Sequence, residues 1–244
     1  MTPFASAEPL LADAEWAPGF DELGLRAFTT ARAAGSFGVT DPDARVADII
    51  GRWDALQQWT AGQGAPRLVA ARQVHGTRVE WHTGGAPGWL RGADADGHAT
   101  VDRGIALAVT IADCVPVFVA HPSGAVALLH AGWRGTAAGI LSACVDSLAA
   151  RGFDPAHLRV HLGPCISGAA YEVGPEVQRA VTGREVAGPS RLDLRATLAE
   201  QARAGGVERV TISPACTVGD RPRWFSHRGG DAGRQLAVLV VPSP

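Results

Sequence analysis

Apolar runs of strand length recur along the second half of the chain. "IALAVTI" (105–111), "VPVFVA" (115–120), "AVALLH" (125–130), "LRVHL" (158–162), "VERVTIS" (207–213) and "AVLVV" (237–241) are each bounded by Gly, Pro, Asp or Ser, as buried strands are. Upstream, "RLVAARQVHGTRVEWH" (67–82) predicts a strand pair broken at His75-Gly76, where glycine permits a turn. "GADADGHAT" (92–100) reads as a loop, and "HPSG" as the turn of a hairpin between two of the runs. Helical spacing predicts a helix over 46–62, "VADIIGRWDALQQWTAG", ended by glycine. A second helix is expected across "RGTAAGILSACVDSLAARG", with Ile140, Leu141, Cys144, Val145 and Leu148 on one core-facing stripe and Gly152 at its end. Pro175 suits the first turn of a helix, and "LDLRATLAEQARAG" predicts another. There is no internal repeat and no Gly/Ser/Pro linker, so the expectation is a single α/β domain over 1–244.

Charge narrows the partners. With 22 Lys+Arg against 24 Asp+Glu and no block of like charges, the chain carries no electrostatic footprint for nucleic acid or an anionic membrane, and a small-molecule partner is expected. The apolar runs fall short of the roughly 18 residues a spanning helix needs. "MTPFASAEPLLADAEW" lacks a basic and then continuously apolar leader. A cytoplasmic monomer is therefore the expectation. Cys114, Cys144, Cys165 and Cys216 are widely spaced, which favours free thiols over a disulfide framework. There is no Cys-x-x-Cys pair, so any metal site that uses a cysteine must be assembled by the fold.

Three residues qualify for such a site. His75, Cys114 and His130 each stand where a strand breaks into a loop, a common place for α/β folds to build sites. Singly, each could be an ordinary core residue. Together, two imidazoles and one thiolate suit zinc, and three protein ligands leave a fourth position for chemistry. Asp113, beside Cys114, could orient it or act as a general base, or simply form a turn.

The stretches "RQVHG", "DADG", "TIADCVPV", "HAGWRGT", "GPCISGAAYEVGPEV" and "CTVGDRPRWFSHRGGDAGRQL" occur in that order. In them the chain resembles the laccase-domain family, formerly called multicopper polyphenol oxidases and now described as purine nucleoside phosphorylases, over 67–241. The resemblance implies a single-domain α/β/β/α sandwich of mixed sheets and a zinc held by His75, Cys114 and His130. It also implies phosphorolysis of purine nucleosides such as adenosine and inosine, with adenosine deamination as a further activity. Phosphate would be bound by arginine, whose planar fork matches its oxygens. Arg134 and Arg228 are the candidates, with Arg32 in "TTARAAGSFG" the counterpart of an arginine in a more glycine-rich family stretch. His227 stands in "FSHR" where the family commonly has tyrosine. Trp133, Trp224 and Phe225 flank these motifs and could offer a face to a base.

Two other classes use the same residues. A metal-free cysteine hydrolase, with Cys114 as nucleophile and a histidine as base, would suit amide cleavage in a peptidoglycan precursor. A copper-dependent polyphenol oxidase would need many imidazoles, whereas eight histidines without a His-x-His pair are present and Met1 is the only methionine for an axial position. Copper would still bind a nitrogen and sulfur site.

Overall fold

The computed structural model describes residues 8–244; residues 1–7, which include Met1 and the start of the segment read for a leader, lie outside them. Two six-stranded mixed sheets form the body. The first runs in the order β1 (Glu15–Trp16), β2 (Arg26–Thr29), β14 (Gln235–Val241), β7 (Ile105–Ile111), β3 (Arg67–Arg72), β5 (Gly88–Asp94). The second runs β13 (Arg209–Ile212), β10 (Arg159–Leu162), β8 (Val115–Ala120), β9 (Val126–Ala131), β6 (Gly97–Thr100), β4 (Val79–His82). A small antiparallel pair, β11 (Glu172–Val173) and β12 (Ser190–Arg191), stands apart from both. The helices are α1 (Glu8–Leu11), α2 (Val46–Gly62), α3 (Trp133–Ala137), α4 (Ile140–Ala149), α5 (Pro175–Thr182) and α6 (Leu194–Ala204).

Strand alternation assigns the layers. Ile105, Leu107, Val109 and Ile111 of β7 meet Phe118, Val126 and Leu128 of the other sheet in a shared core. The intervening Ala106 and Ala108 face Ile49, Trp53 and Leu56 of α2. On the far side Val115, Val117, Val119, Ala127 and Leu129 pack against α4 and α6. The period-2 pattern therefore feeds one apolar set to the neighbouring sheet and the other to a helix, which yields an α/β/β/α sandwich.

The structure departs from the sequence reading in three places. β3 and β4 do not pair: β3 lies between β7 and β5 in the first sheet, and β4 edges the second beside β6. Alternation reports which face is buried but not which strand is the partner. "GADADGHAT" is largely strand, shared by the end of β5 and all of β6. Gly97 fits there because a Cβ would lie 2.6 Å from Leu129 Cδ2, so glycine marks close packing and not a turn. The helix expected after His130 is split into α3 and α4 at Gly139, whose φ of 78° breaks the helical path. Ile140, Leu141, Cys144, Val145 and Leu148 are buried as expected.

Candidate metal centre and anion pocket

The β8–β9 hairpin sets two of the three donors by register. Val115 pairs with Ala131 and Pro116 with His130, so Cys114 comes opposite Gly132 at the open end. Phe118 and Ala120 of β8, and Val126 and Leu128 of β9, face the core between the sheets. Cys114 and His130 share their parity, so both side chains point to that same face at its rim. A Cβ on Gly132 would lie 2.9 Å from Cys114 Sγ and 3.0 Å from His75 Cδ2, which explains glycine at this position.

His75 arrives on the crossing from β3 to β4, that is, from one sheet to the other. Its φ of 60° is left-handed, as is the 83° of Asp113. Non-glycine residues rarely adopt this region unless their surroundings impose it. For His75 the imposing group is Asp96, on the parallel crossing from β5 to β6. The buried Asp96 carboxylate accepts hydrogen bonds from the amides of Val74 (3.1 Å), His75 (2.9 Å) and Gly76 (2.7 Å). It also lies 2.9 Å from His130 Nδ1. One carboxylate thus shapes the His75 loop and orients the His130 ring, leaving Nε2 of His130 as its free donor.

Ligand atoms of His75, Cys114 and His130 all lie within 4.8 Å of one another; no other cluster of this kind occurs among the described residues. His75 is exposed, Cys114 half-buried and His130 buried. Burial opposes a charged thiolate at Cys114, but the neighbouring His130 and His75 outweigh it and bring the thiol down to about 6. Burial likewise opposes charge on His130, yet Cys114 and Asp96 lift it to about 9. Elsewhere burial alone pushes Cys144 up to about 12, the inert state expected of a core thiol. The two imidazoles therefore favour Cys114 as a thiolate, the form that binds metal.

A cavity of about 310 Å³ opens over two of these residues, His75 and Cys114. Arg134 and Arg228 both line it, as do Trp133, Tyr171 and His227. The Arg134 guanidinium lies 4.3 Å from the Trp133 ring centroid, and that of Arg228 lies 5.1 Å from Tyr171. Arg228 Nη1 and Nη2 each donate to the Glu172 carbonyl at 3.0 Å. Asp113 also lines the cavity, but its carboxylate accepts from the Thr217 hydroxyl (2.5 Å) and the Arg228 amide (2.6 Å). Both oxygens are committed to holding the neighbouring loop, which suits a positioning role better than that of a general base.

Arg32 is not among the residues lining the cavity; it pairs with Asp231 at 2.7 Å. Trp224 and Phe225 are buried and do not line the cavity either. Tyr171 takes the aromatic place beside Trp133. Sequence reasoning passed over Asp96 and Tyr171, although both lie in stretches that carry the family resemblance. An acid inside a Gly/Asp-rich stretch reads as a turn former until the fold buries it.

The family described as multi-copper polyphenol oxidoreductase laccase matches residues 27–242. A purine nucleoside phosphorylase of Mycobacterium tuberculosis is 36% identical over 231 residues, spanning 88% of this chain and 91% of that protein. Among solved structures, YlmD of Geobacillus stearothermophilus superposes with a TM-score of 0.83 at 30% identity, covering 93% of this chain and 96% of that one. A Bacillus licheniformis hypothetical protein, YfiH, gives a TM-score of 0.83 at 25% identity over 99% of this chain and 100% of that one. The two-sheet sandwich is common to all three chains.

Proposed function

The chain belongs to the multi-copper polyphenol oxidoreductase laccase family, and from that premise we propose that it is a zinc-dependent purine nucleoside phosphorylase. It would cleave adenosine and inosine with phosphate to the free base and ribose 1-phosphate. The observation that carries this reading is the cavity itself, which brings His75 and Cys114 of the His-Cys-His group together with two arginines and two aromatic residues. Relatives at 32–36% identity are named purine nucleoside phosphorylases, which supports an enzyme of this class.

The donor set fits zinc. Two imidazoles and a thiolate are within reach of one ion, and Asp96 provides the carboxylate behind a ligating histidine that such centres use. Bound there, zinc would supply Lewis acidity to an oxygen at its open position. Copper would also accept these donors, but one group of three among the described residues would hold one ion and not a multi-copper cluster.

The remaining work falls to protein groups. Arg134 and Arg228 would bind and orient phosphate, since a guanidinium fork matches its oxygens. Trp133 and Tyr171 would offer ring faces to the purine. A phosphate oxygen then bonds to C1′ of the ribose as the bond from C1′ to the base nitrogen breaks. The base leaves with that electron pair and takes up the proton that the attacking hydrogen phosphate gives up. Asp96 would hold a proton on Nδ1 of His130, so that Nε2 is the nitrogen offered to the metal, whose binding displaces the ring's second proton. Deamination of adenosine to inosine with water is the secondary activity proposed for the same cavity.

Chromatography of zinc-replete protein with adenosine, with and without phosphate, tests the reading. Adenine formed only with phosphate is expected, and absence of both adenine and inosine would overturn it. The contact of Cys114 with two imidazoles would also activate a cysteine hydrolase. That alternative predicts turnover that survives chelation, whereas the zinc reading predicts its loss.

A further inference from the structure

His227 and Arg228 reach the cavity on a loop at 213–234 that has no helix or strand to stiffen it. Polar contacts hold it instead. The turn at 226–231 is closed on itself, because the Ser226 amide donates to Asp231 Oδ2 at 2.9 Å and the Asp231 amide donates to the Ser226 carbonyl at 2.9 Å. Arg32 grips that turn from outside. Its Nη2 lies 2.7 Å from Asp231 Oδ2 and 2.8 Å from the Trp224 carbonyl, and its Nε donates to the Arg221 carbonyl at 2.8 Å. The Arg32 amide donates to the Arg223 carbonyl at 2.7 Å, and its guanidinium covers the Phe225 ring at 4.3 Å. Arg221 Nη2 adds a second cation at 3.2 Å from Asp231 Oδ1. Burial works against charge on Asp231, but the Ser226 amide and the two arginines hold it down to about 2.

We infer that Arg32 and Asp231 form a positioning clasp: they fix the 226–231 turn so that Arg228 presents its guanidinium to the anion pocket, and they act on the reaction through Arg228 without touching substrate. The inference rests on the reading of that pocket as a phosphate site. Two carboxylates divide the work. Asp113, beside Cys114, holds the Arg228 amide at 2.6 Å, and Asp231 holds the Ser226 amide at 2.9 Å. This accounts for an arginine that a family motif brings near the site while its guanidinium is spent on backbone carbonyls and a carboxylate.

The test measures the phosphate KM, kcat and zinc content of Arg32→Ala and Asp231→Ala, each alone and combined with Arg228→Ala. Misplacement of the guanidinium should raise the phosphate KM about tenfold with zinc content unchanged, and the clasp substitutions should add nothing in the Arg228→Ala background. Arg32→Gln, which retains a donor for the carbonyls, replaces Arg32→Ala if that variant fails to fold. An unchanged phosphate KM in a folded variant, or a full tenfold rise persisting without Arg228, would overturn the clasp. If the unmodified protein shows no phosphorolysis, the phosphorylase reading falls, and hydrogen exchange decides the clasp separately. Asp231→Ala should then speed exchange of the amides at 226–231 and spare those of β14; unchanged exchange at 226–231 would overturn it.

Discussion

The β8–β9 hairpin and the 213–234 loop contribute to one cavity through different physics. Every residue of both hairpin strands is buried, and the side-chain directions of Cys114 and His130 follow from strand parity. The loop has little regular structure, and its cavity residues are held by carboxylates: Asp113 on the Arg228 amide and Asp231 on the turn beyond. A site built by register should be intolerant of added volume and should lose metal when disturbed. A site built by ion pairs and amide contacts should depend on individual charges and lose substrate affinity while keeping its metal.

The largest break is expected at Asp96, which underlies the metal side. Asp96→Asn replaces an acceptor of three amides and one imidazole with a group that itself donates, and metal affinity should fall about 10–100-fold. A competitive chelator titration checks this, and unchanged affinity would mean that hairpin register alone orders the donors. Gly132→Ala is next. Its methyl group, 2.9 Å from Cys114 Sγ, should cost about 1–3 kcal/mol as overpacking and displace a donor. Thermal melting alongside zinc content would show it, and a variant with native melting temperature and full zinc would contradict the crowding.

Acid should also act on the sheets before the loop. Burial, and then the charge of His82, lowers His98 to about 3; burial, and then Arg195, lowers His161 to about 4. Unfolded histidines titrate at about 6.5, so below that pH the unfolded chain takes up protons that the folded one refuses. The contribution of these two rings to stability is full above about 6.5 and declines as pH falls toward 4, by up to about 1.4 kcal/mol per pH unit for each histidine. Urea midpoints that stay level from pH 7.5 to 5 would contradict neutral burial of both rings. The smallest effect belongs to the loop side. Thr217→Val removes the hydroxyl that donates to Asp113 and should cost about 1 kcal/mol, with zinc retained and the phosphate KM raised. Zinc lost in step with that KM would erase the distinction between the two regions.

Local pattern carried the strand runs, the α4 stripe and the choice of His75, Cys114 and His130, which the fold brings together. Each of these needs only neighbouring residues, because a strand or helix face advertises its burial by period. The donors were legible because their residue types and their positions at strand breaks restrict the chemistry. Tertiary structure alone decided that β3 and β4 enter different sheets, that Asp96 lies under both histidines, and that both Asp113 oxygens accept from the 213–234 loop. It also moved Arg32 out of the cavity and brought Tyr171 in. Asp96 meets His130 across 34 residues of chain, and Arg32 meets Asp231 across 199. No period extends so far, and a polar side chain reads as solvated until the fold removes its water and supplies its partner.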